Sequence, residues 1–413
     1  MSTSSLPVSP KTTSAPLIFN RIFVPLDGSP RAEQAISVAA RLARMAHGTV
    51  ILAQVIHLPY EYSLAPFSYP ISDHLYDRER LDASAYLAQV AALPALSGVP
   101  VEKLVLDGVV GPALLDAIET SRAECVVITT HGRTGVSRWT LGSVAEQLAR
   151  LSSAPTLVLP DSADMFGELP PSQLAPSAQH PLRLLVPLDG SPLAEAAMTP
   201  AAQLLLALMA SGEGRPTHTA NTTTTNAKVD TARLAPAGEI HLLMALAPGF
   251  MTANIAPEAM IREGAQAYLE KIARDLREQY PQIGVTWSLA STGDAAEGIA
   301  QAAGASREHD TPDYAYDEGY AAIVMASRGR TGFARWALGS VAERVLRLTR
   351  RPILIVRPLA QRPHDKTVEP LHRTAPLTHH HSETEPAEAE VHATHSDRRP
   401  TSLDDGMFGM PLF

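Results

Sequence analysis

Cysteine is almost missing: the 413-residue chain holds one, Cys125. A single thiol excludes an internal disulfide framework and a cysteine-built zinc site, and it fits a reducing compartment such as the cytoplasm. Aromatic residues are scarce at 5 % while alanine abounds, a balance that favours helix-rich α/β layers over an all-β sandwich. Basic charge is in deficit: 34 Lys and Arg face 43 Asp and Glu, for a formal net charge of −9 at pH 7. That balance argues against coating nucleic acid or adhering to anionic lipid through basic patches. No apolar run is long. The longest, around Leu204 to Ala210, falls far short of a membrane span, and the opening MSTSSLPVSPKTTSAPL has no continuous apolar core of the kind a signal peptide needs. Several catalytic fingerprints are absent too: there is no GxxxxGK phosphate loop, GxGxxG, GxSxG, HExxH or paired CxxC. No pair of carboxylates is spaced to flank a scissile bond, so no dedicated catalytic base is identifiable. What remains is a chain with 45 % hydrophobic residues, enough to bury a core. The expectation is a soluble, cytoplasmic α/β protein of two or three domains, with no nucleic-acid or membrane partner.

The chain repeats itself, and this sets its organisation. Arg21 to Pro30 reads RIFVPLDGSP and Arg183 to Pro192 reads RLLVPLDGSP; HGRTGVSRWTLGSVAEQLARL from His131 is echoed by RGRTGFARWALGSVAERVLRL from Arg328. Asp27 and Asp189 are 162 residues apart, whereas Gly132 and Gly329 are 197 apart, so the second copy has gained length between its motifs. Two polar stretches account for the gain, near 211–238 (with TANTTTTNAK) and 306–319. In each copy, β-rich runs alternate with helical periodicity. The expected strands are Ile22–Leu26, Val50–Ile56, Val101–Leu106, Cys125–Thr129 and Pro155–Leu159, then Leu184–Leu188, Ile240–Ala245, Val285–Leu289, Ala321–Ala326 and Ile353–Val356. Such alternation implies parallel sheets covered on both faces. The domain expectation is a disordered extension at 1–19, a first domain at 20–160, a Pro/Ser/Gln linker at 161–181, a second domain at 182–358 and a disordered tail at 359–413. The tail's His379, His380 and His381 read as low-complexity sequence rather than a metal site.

Ligands of open doubly wound sheets bind beyond the carboxyl ends of the strands, at the switch in strand order. The first strand of each copy runs into Pro25-Leu26-Asp27 or Pro187-Leu188-Asp189, and the fourth into a glycine-bearing loop that closes at Gly142-Ser143-Val144 or Gly339-Ser340-Val341. A helix starting there presents free N–H groups and the positive end of its dipole, which suits phosphate. Ser143 can cap that helix. Asp27, acceptor-only when ionised, suits a ribose hydroxyl or an adenine amino group. A plainer reading stands beside this one: Asp27 or Ser29 caps the first helix, and Gly142-Ser143 merely starts another. His131 has Arg328 as its counterpart, which argues against a shared catalytic histidine, and Trp139 and Trp336 read as packing anchors.

These motifs resemble the nucleotide-binding universal stress protein family, over both halves of the chain. The family's phosphate loop reads Gly, two residues, Gly, nine residues, then Gly-Ser or Gly-Thr; Gly132 to Gly142-Ser143 and Gly329 to Gly339-Ser340 keep the nine-residue spacing. Thr129 and Ala326 stand at the first glycine. The resemblance implies two Rossmann-like domains of the adenine nucleotide alpha hydrolase-like type, each a five-stranded parallel sheet with helices on both faces. It implies ATP, with Mg²⁺, as ligand. The implied contacts are Pro25, Asp27, Val55, Thr129, His131, Gly132, Arg133, Gly142, Ser143 and Val144 in one copy, and Pro187, Asp189, Ala245, Ala326, Arg328, Gly329, Arg330, Gly339, Ser340 and Val341 in the other. Since such proteins pair through their last strands, it further implies an intramolecular pseudo-dimer, with a homodimer as a further assembly. The role implied is a regulatory module of the stress response. Slow ATP hydrolysis or phosphoryl transfer, and a nucleotide-free interaction scaffold, are the alternatives.

Overall fold

The structure, a computed structural model, describes residues 19–56, 71–130, 141–160, 182–210, 238–246, 258–304, 319–328 and 338–357, the side chains of 71–75, 210 and 258 excepted. The expected linker, tail and nearly all of both insertions lie outside the described residues.

In the first half the elements are β1 (Arg21–Leu26), α1 (Pro30–Ala46), β2 (Thr49–Ile56), α2 (Ile71–Ala91), β3 (Val101–Asp107), α3 (Val110–Thr120), β4 (Cys125–Thr129), α4 (Ser143–Leu151) and β5 (Thr156–Leu159). In the second they are β6 (Leu182–Leu188), α5 (Pro192–Glu195), α6 (Met198–Ala210), β7 (Gly238–Leu246), α7 (Glu258–Gln279), β8 (Gly284–Ser291), α8 (Ala295–Ala302), β9 (Ala322–Ala326), α9 (Ser340–Leu348) and β10 (Ile353–Val356). Within each half the five strands are parallel, in the orders β3-β2-β1-β4-β5 and β8-β7-β6-β9-β10. The halves meet through their last strands: β10 runs antiparallel to β5, with Leu354 opposite Leu157, and one ten-stranded sheet results.

Helix α1 shows how local sequence makes these elements. Its apolar positions Ala32, Ala35, Ile36, Ala39, Leu42 and Ala43 recur at three- and four-residue spacing and are all buried. Pro30 opens it, and His47 ends it in the left-handed conformation at φ 51°. Gly48 follows because the chain passes too close for a side chain: a Cβ there would lie 2.5 Å from the Phe19 carbonyl oxygen. In the second half the corresponding helix is split into α5 and α6. Pro200 has no N–H for the Ala196 carbonyl and its ring crowds that group, which accounts for the break. By length and composition alone the window Pro192–Met209 could cross a membrane, but 61 % of it is buried inside the fold, where α6 packs on β6, β7 and α1.

Each face of the sheet carries one apolar layer that runs through both halves. Residues of α1, α2, α6 and α7 form one, and residues of α3, α4, α8 and α9 the other. Polar contacts among the described residues also bridge the halves. Arg41 donates to the Leu208 carbonyl (2.9 Å), Arg357 to the Leu151 carbonyl (2.8 Å), and Arg150 lies 3.5 Å from Glu343. The lone thiol, Cys125, is fully buried in β4, and burial pushes its pKa up to about 12.

Candidate functional site at the switch points of the sheet

The switch in strand order falls between β1 and β4 and again between β6 and β9, and proline opens the sheet at both places. The β1–β2 ladder runs from Arg21 to Leu26, but the β1–β4 ladder holds only Ile22 and Phe23. Beyond them stands Pro25, which has no N–H to offer either neighbour. The second half repeats this: β6 pairs with β9 at Leu184 and Leu185 alone, and Pro187 follows. A crevice beyond the carboxyl ends of the strands is the consequence, with Asp27, just past β1, and Thr129, at the end of β4, flanking the first, and Asp189, just past β6, and Ala326, at the end of β9, flanking the second.

On one side of each crevice is a tight turn. Ser29 donates its hydroxyl to Asp27 Oδ1 (2.6 Å) and its backbone N–H to the same oxygen (3.0 Å), while its Oγ accepts from the Ala32 N–H (3.2 Å). Ser191, Asp189 and Ala194 reproduce all three bonds at the same lengths. Of the two expected caps it is the serine that caps the helix, and the aspartate orders that serine. A second repeated pair braces the turn from α2 and α7. The Tyr86 phenol donates to Glu33 (3.0 Å), and the Tyr268 phenol to Glu195 (3.0 Å). Burial, with the glutamate and the nearby Asp27 or Asp189 charge, holds both phenols well above their usual pKa. Tyr86, Glu33 and their partners were missed by motif reading. The signal was the triplet Ala-Tyr-Leu, present at Ala85–Leu87 and again at Ala267–Leu269.

On the other side the returning loops are pinned to the strand ends. The Gly142 N–H donates to the Thr130 carbonyl (2.7 Å) and the Gly339 N–H to the Ser327 carbonyl (2.7 Å). A Cβ on Gly339 would stand 3.1 Å from that carbonyl oxygen, so glycine suits the approach. Helices α4 and α9 begin directly after these bonds, and here the sequence reading needs correcting. Ser143 does not cap α4. Gly142 is the cap, in extended conformation, and among the described residues no side chain caps the helix; Gly339 does the same for α9. Ser143 is exposed at the first helical position. The helices α1, α5 and α8, by contrast, are capped by Ser29, Ser191 and Asp294. A glycine cap leaves the early N–H groups of α4 and α9 directed at whatever occupies the crevice.

Val55 and Ala245 sit near the ends of β2 and β7 as expected, half-buried. Val144 and Val341 follow the serines in α4 and α9, and Arg328 lies just past β9. The Arg328 cation adds to burial in holding the Arg357 guanidinium below its usual pKa. His131, Gly132, Arg133, Gly329 and Arg330 lie outside the described residues, as do Trp139 and Trp336. Among the described residues no three His, Cys, Asp or Glu side chains converge on a metal position.

The opposite end of the sheet carries different chemistry. An open hollow there is lined by Arg21, Glu102, Leu104, Thr120, Ser121 and Arg122, but Arg21 and Glu102 already satisfy each other through two hydrogen bonds of 2.9 and 2.7 Å. It lies at the amino ends of the strands, away from both crevices. In the second half a polar cluster takes the same position: His241 bonds Thr286 and Ser288 (2.8 Å each), beside Arg183, Glu239 and Tyr320.

The family model for the universal stress protein family matches residues 19–160 and 182–357, and thereby both crevices. The chain belongs to the universal stress protein family. A universal stress protein of Methanocaldococcus jannaschii is 28 % identical over 143 residues, 34 % of this chain and 82 % of its own length. Universal stress protein A homolog 1 of Coxiella burnetii is also 28 % identical, over 34 % of this chain and 96 % of its own. Among solved structures, a universal stress protein from Archaeoglobus fulgidus superposes with TM-score 0.50 at 17 % identity, covering 82 % of this chain and 98 % of that one, a likeness of fold. A universal stress protein solved in complex with cAMP is matched over 35 % of this chain and 98 % of its own, with TM-score 0.28 and 22 % identity. The Rossmann-like α/β fold of the two universal stress protein domains, mostly parallel in strand direction, is thus established.

Proposed function

We propose that this universal stress protein binds adenine nucleotide, ATP, in both crevices, and acts as a regulatory module rather than an enzyme. One observation carries the reading. The same pair of features is built twice at a switch point: an aspartate ordered at the carboxyl end of the first strand, and across from it a helix capped by a glycine, with no side-chain cap among the described residues. Such donors, with the helix dipole, suit phosphate oxygens, and the carboxylate suits hydroxyl or amino donors of a nucleoside. With a net charge of −9, the attraction for an anion must be local. Mg²⁺ would travel with the triphosphate, since this ion keeps most of its waters and leans on phosphate oxygens. Binding at the helix starts Gly142-Ser143 and Gly339-Ser340 would alter a surface offered to partner proteins in the cytoplasm.

Thr129 and Ala326, 5 % and 7 % exposed, favour a second reading, a nucleotide-free interaction scaffold, because each puts a Cβ where the family's loop has its first glycine. Isothermal titration decides between the two, with ATP and with cAMP as comparison ligand. The wild-type chain should bind ATP and the double variant Gly142→Asp/Gly339→Asp should not, since each new carboxylate would take the N–H donors for itself. Equal affinity in both chains would remove the proposed sites, and no binding in the wild type would leave the scaffold.

A further inference from the structure

The two crevices share their aspartate, serine, glutamate and tyrosine, and among the positions at which they differ one lies beside the turn. The β1–β2 register sets Gln54 opposite Leu26, and the β6–β7 register sets Met244 opposite Leu188, so the two side chains hold equivalent places one residue before Val55 and Ala245. Both reach the turn glycine: a Cβ on Gly28 would lie 4.0 Å from Gln54 Nε2, and one on Gly190 would lie 3.9 Å from Met244 Cε. Met244 is buried within the apolar layer at 8 % exposure and needs no polar partner. Gln54 is in the opposite condition. Its Oε1 is shielded from solvent and accepts no hydrogen bond among the described residues. A buried acceptor without a donor costs free energy, so a carboxamide at this position is expected to be answered by something that enters the crevice.

We propose that Gln54 is a specificity-determining residue, its Oε1 accepting from a donor on the nucleoside part of the bound nucleotide, and that the two sites are therefore unequal, the second offering only the Met244 thioether. This rests on the nucleotide reading above and refines it. The first site discriminates by a hydrogen bond at the nucleoside, while both take hold of phosphate through α4 and α9. A site built to hydrogen-bond a ligand group rejects ligands that lack it, which an apolar wall cannot do.

The test uses the full chain with one site closed at a time. Gly339→Asp leaves the first site and Gly142→Asp the second, and each is titrated with ATP and with inorganic triphosphate, which has no nucleoside. The first site should bind ATP about fivefold to tenfold more tightly than the second, the worth of one neutral hydrogen bond, while triphosphate should not distinguish them. Adding Gln54→Met to the first-site chain should erase the ATP preference and leave triphosphate binding unchanged. Met244→Gln in the second-site chain should strengthen ATP alone. A Gln54→Met chain with undiminished ATP affinity overturns the proposal. So does an equal loss for ATP and triphosphate, which would mark Gln54 as merely structural. If wild type binds ATP at two equal sites, the asymmetry is wrong while the nucleotide reading stands; if it binds none, both fall.

Discussion

Replacing Ser29 with alanine separates the two tasks that the Asp27 turn performs. The hydroxyl makes two bonds, one accepted from the Ala32 N–H at 3.2 Å and one donated to Asp27 Oδ1 at 2.6 Å. Loss of the cap costs about 1 kcal/mol. Loss of the bond to the half-buried carboxylate adds about 1 kcal/mol, kept at the low end because the backbone N–H still holds Oδ1 at 3.0 Å. The total of about 2 kcal/mol corresponds to a fall in Tm of about 4–8 °C for a folded unit of this size, readable by scanning calorimetry. Asp27→Asn is the complementary change. Its side-chain carbonyl can still accept from Ser29, so Tm should move by less than about 2 °C, whereas the charge offered to a nucleoside donor is gone. ATP affinity, measured by titration in the Gly339→Asp background so that only the first site reports, should fall about tenfold. An unchanged Tm in Ser29→Ala would refute the capping arithmetic. An unchanged ATP affinity in Asp27→Asn would refute a ligand role for the carboxylate and leave the turn as a helix start.

Gly48→Ala forces a Cβ to within 2.5 and 2.6 Å of the Phe19 and Asn20 carbonyl oxygens, so urea unfolding should show a loss of about 2 kcal/mol or more; a neutral result would contradict the close approach. Cys125 should resist an aromatic disulfide reagent in the native protein and react only on unfolding, since its thiol is fully buried with a pKa near 12; rapid native labelling would contradict that burial. His241 gives a pH dependence. Burial, and then the Arg183 charge, lower its pKa in the folded state, with Glu239 opposing, and the surrounding Thr286, Ser288 and Tyr320 are neutral near pH 6. The folded protein thus binds fewer protons than the unfolded chain, so this contribution is complete above the unfolded value of 6.5 and is lost as pH falls through and below it. The wild-type minus His241→Gln difference in stability should shrink from pH 7.5 to pH 5; a constant difference would show that His241 does not titrate with unfolding.

The strands were legible because parallel, doubly buried strands are short apolar runs, and the repeat supplied each of them twice. Where the reading fell short, a polar group decides the boundary. β1 begins at Arg21 rather than Ile22 because the guanidinium is held by Glu102 and the Ser121 carbonyl, partners about a hundred residues away that no local pattern shows. Ser143 has the composition of a cap but stands one position too late. The bond from Gly142 N–H to the Thr130 carbonyl fixes the glycine in the extended conformation that precedes the first helical turn. The aspartates were legible as site residues because they are local to a repeated turn. Their braces were not, since Tyr86 lies 53 residues from Glu33 and meets it only once α2 has folded back on α1. The difference between Gln54 and Met244 was invisible for the opposite reason: repeat matching rewards identity, and asymmetry between copies appears only when register puts the two residues in one place.

The seam between the halves has a consequence for the sites, because α4 serves both. Its first turn faces the crevice with no side-chain cap, while its last turn is held from the other half, where Arg357 donates to the Leu151 carbonyl at 2.8 Å. The same last turn is tied across as well, through Arg150 and Glu343 of α9. A cation at a helix carboxyl end complements the dipole, and this one comes from the residue directly after β10. The counterpart of Arg357 in the first half is Pro160, which carries no charge and no side-chain donor, so the reciprocal contact to α9 cannot form. The helix behind the first crevice therefore depends on the second half for its far end, whereas Pro160 can make no such bond to α9. Two copies joined by an antiparallel strand pair would be symmetric if their sequences were identical. Here two departures from symmetry, Gln54 against Met244 and Arg357 against Pro160, fall beside the first crevice and at the far end of its helix, so fusion in one chain has let the two copies of the site diverge.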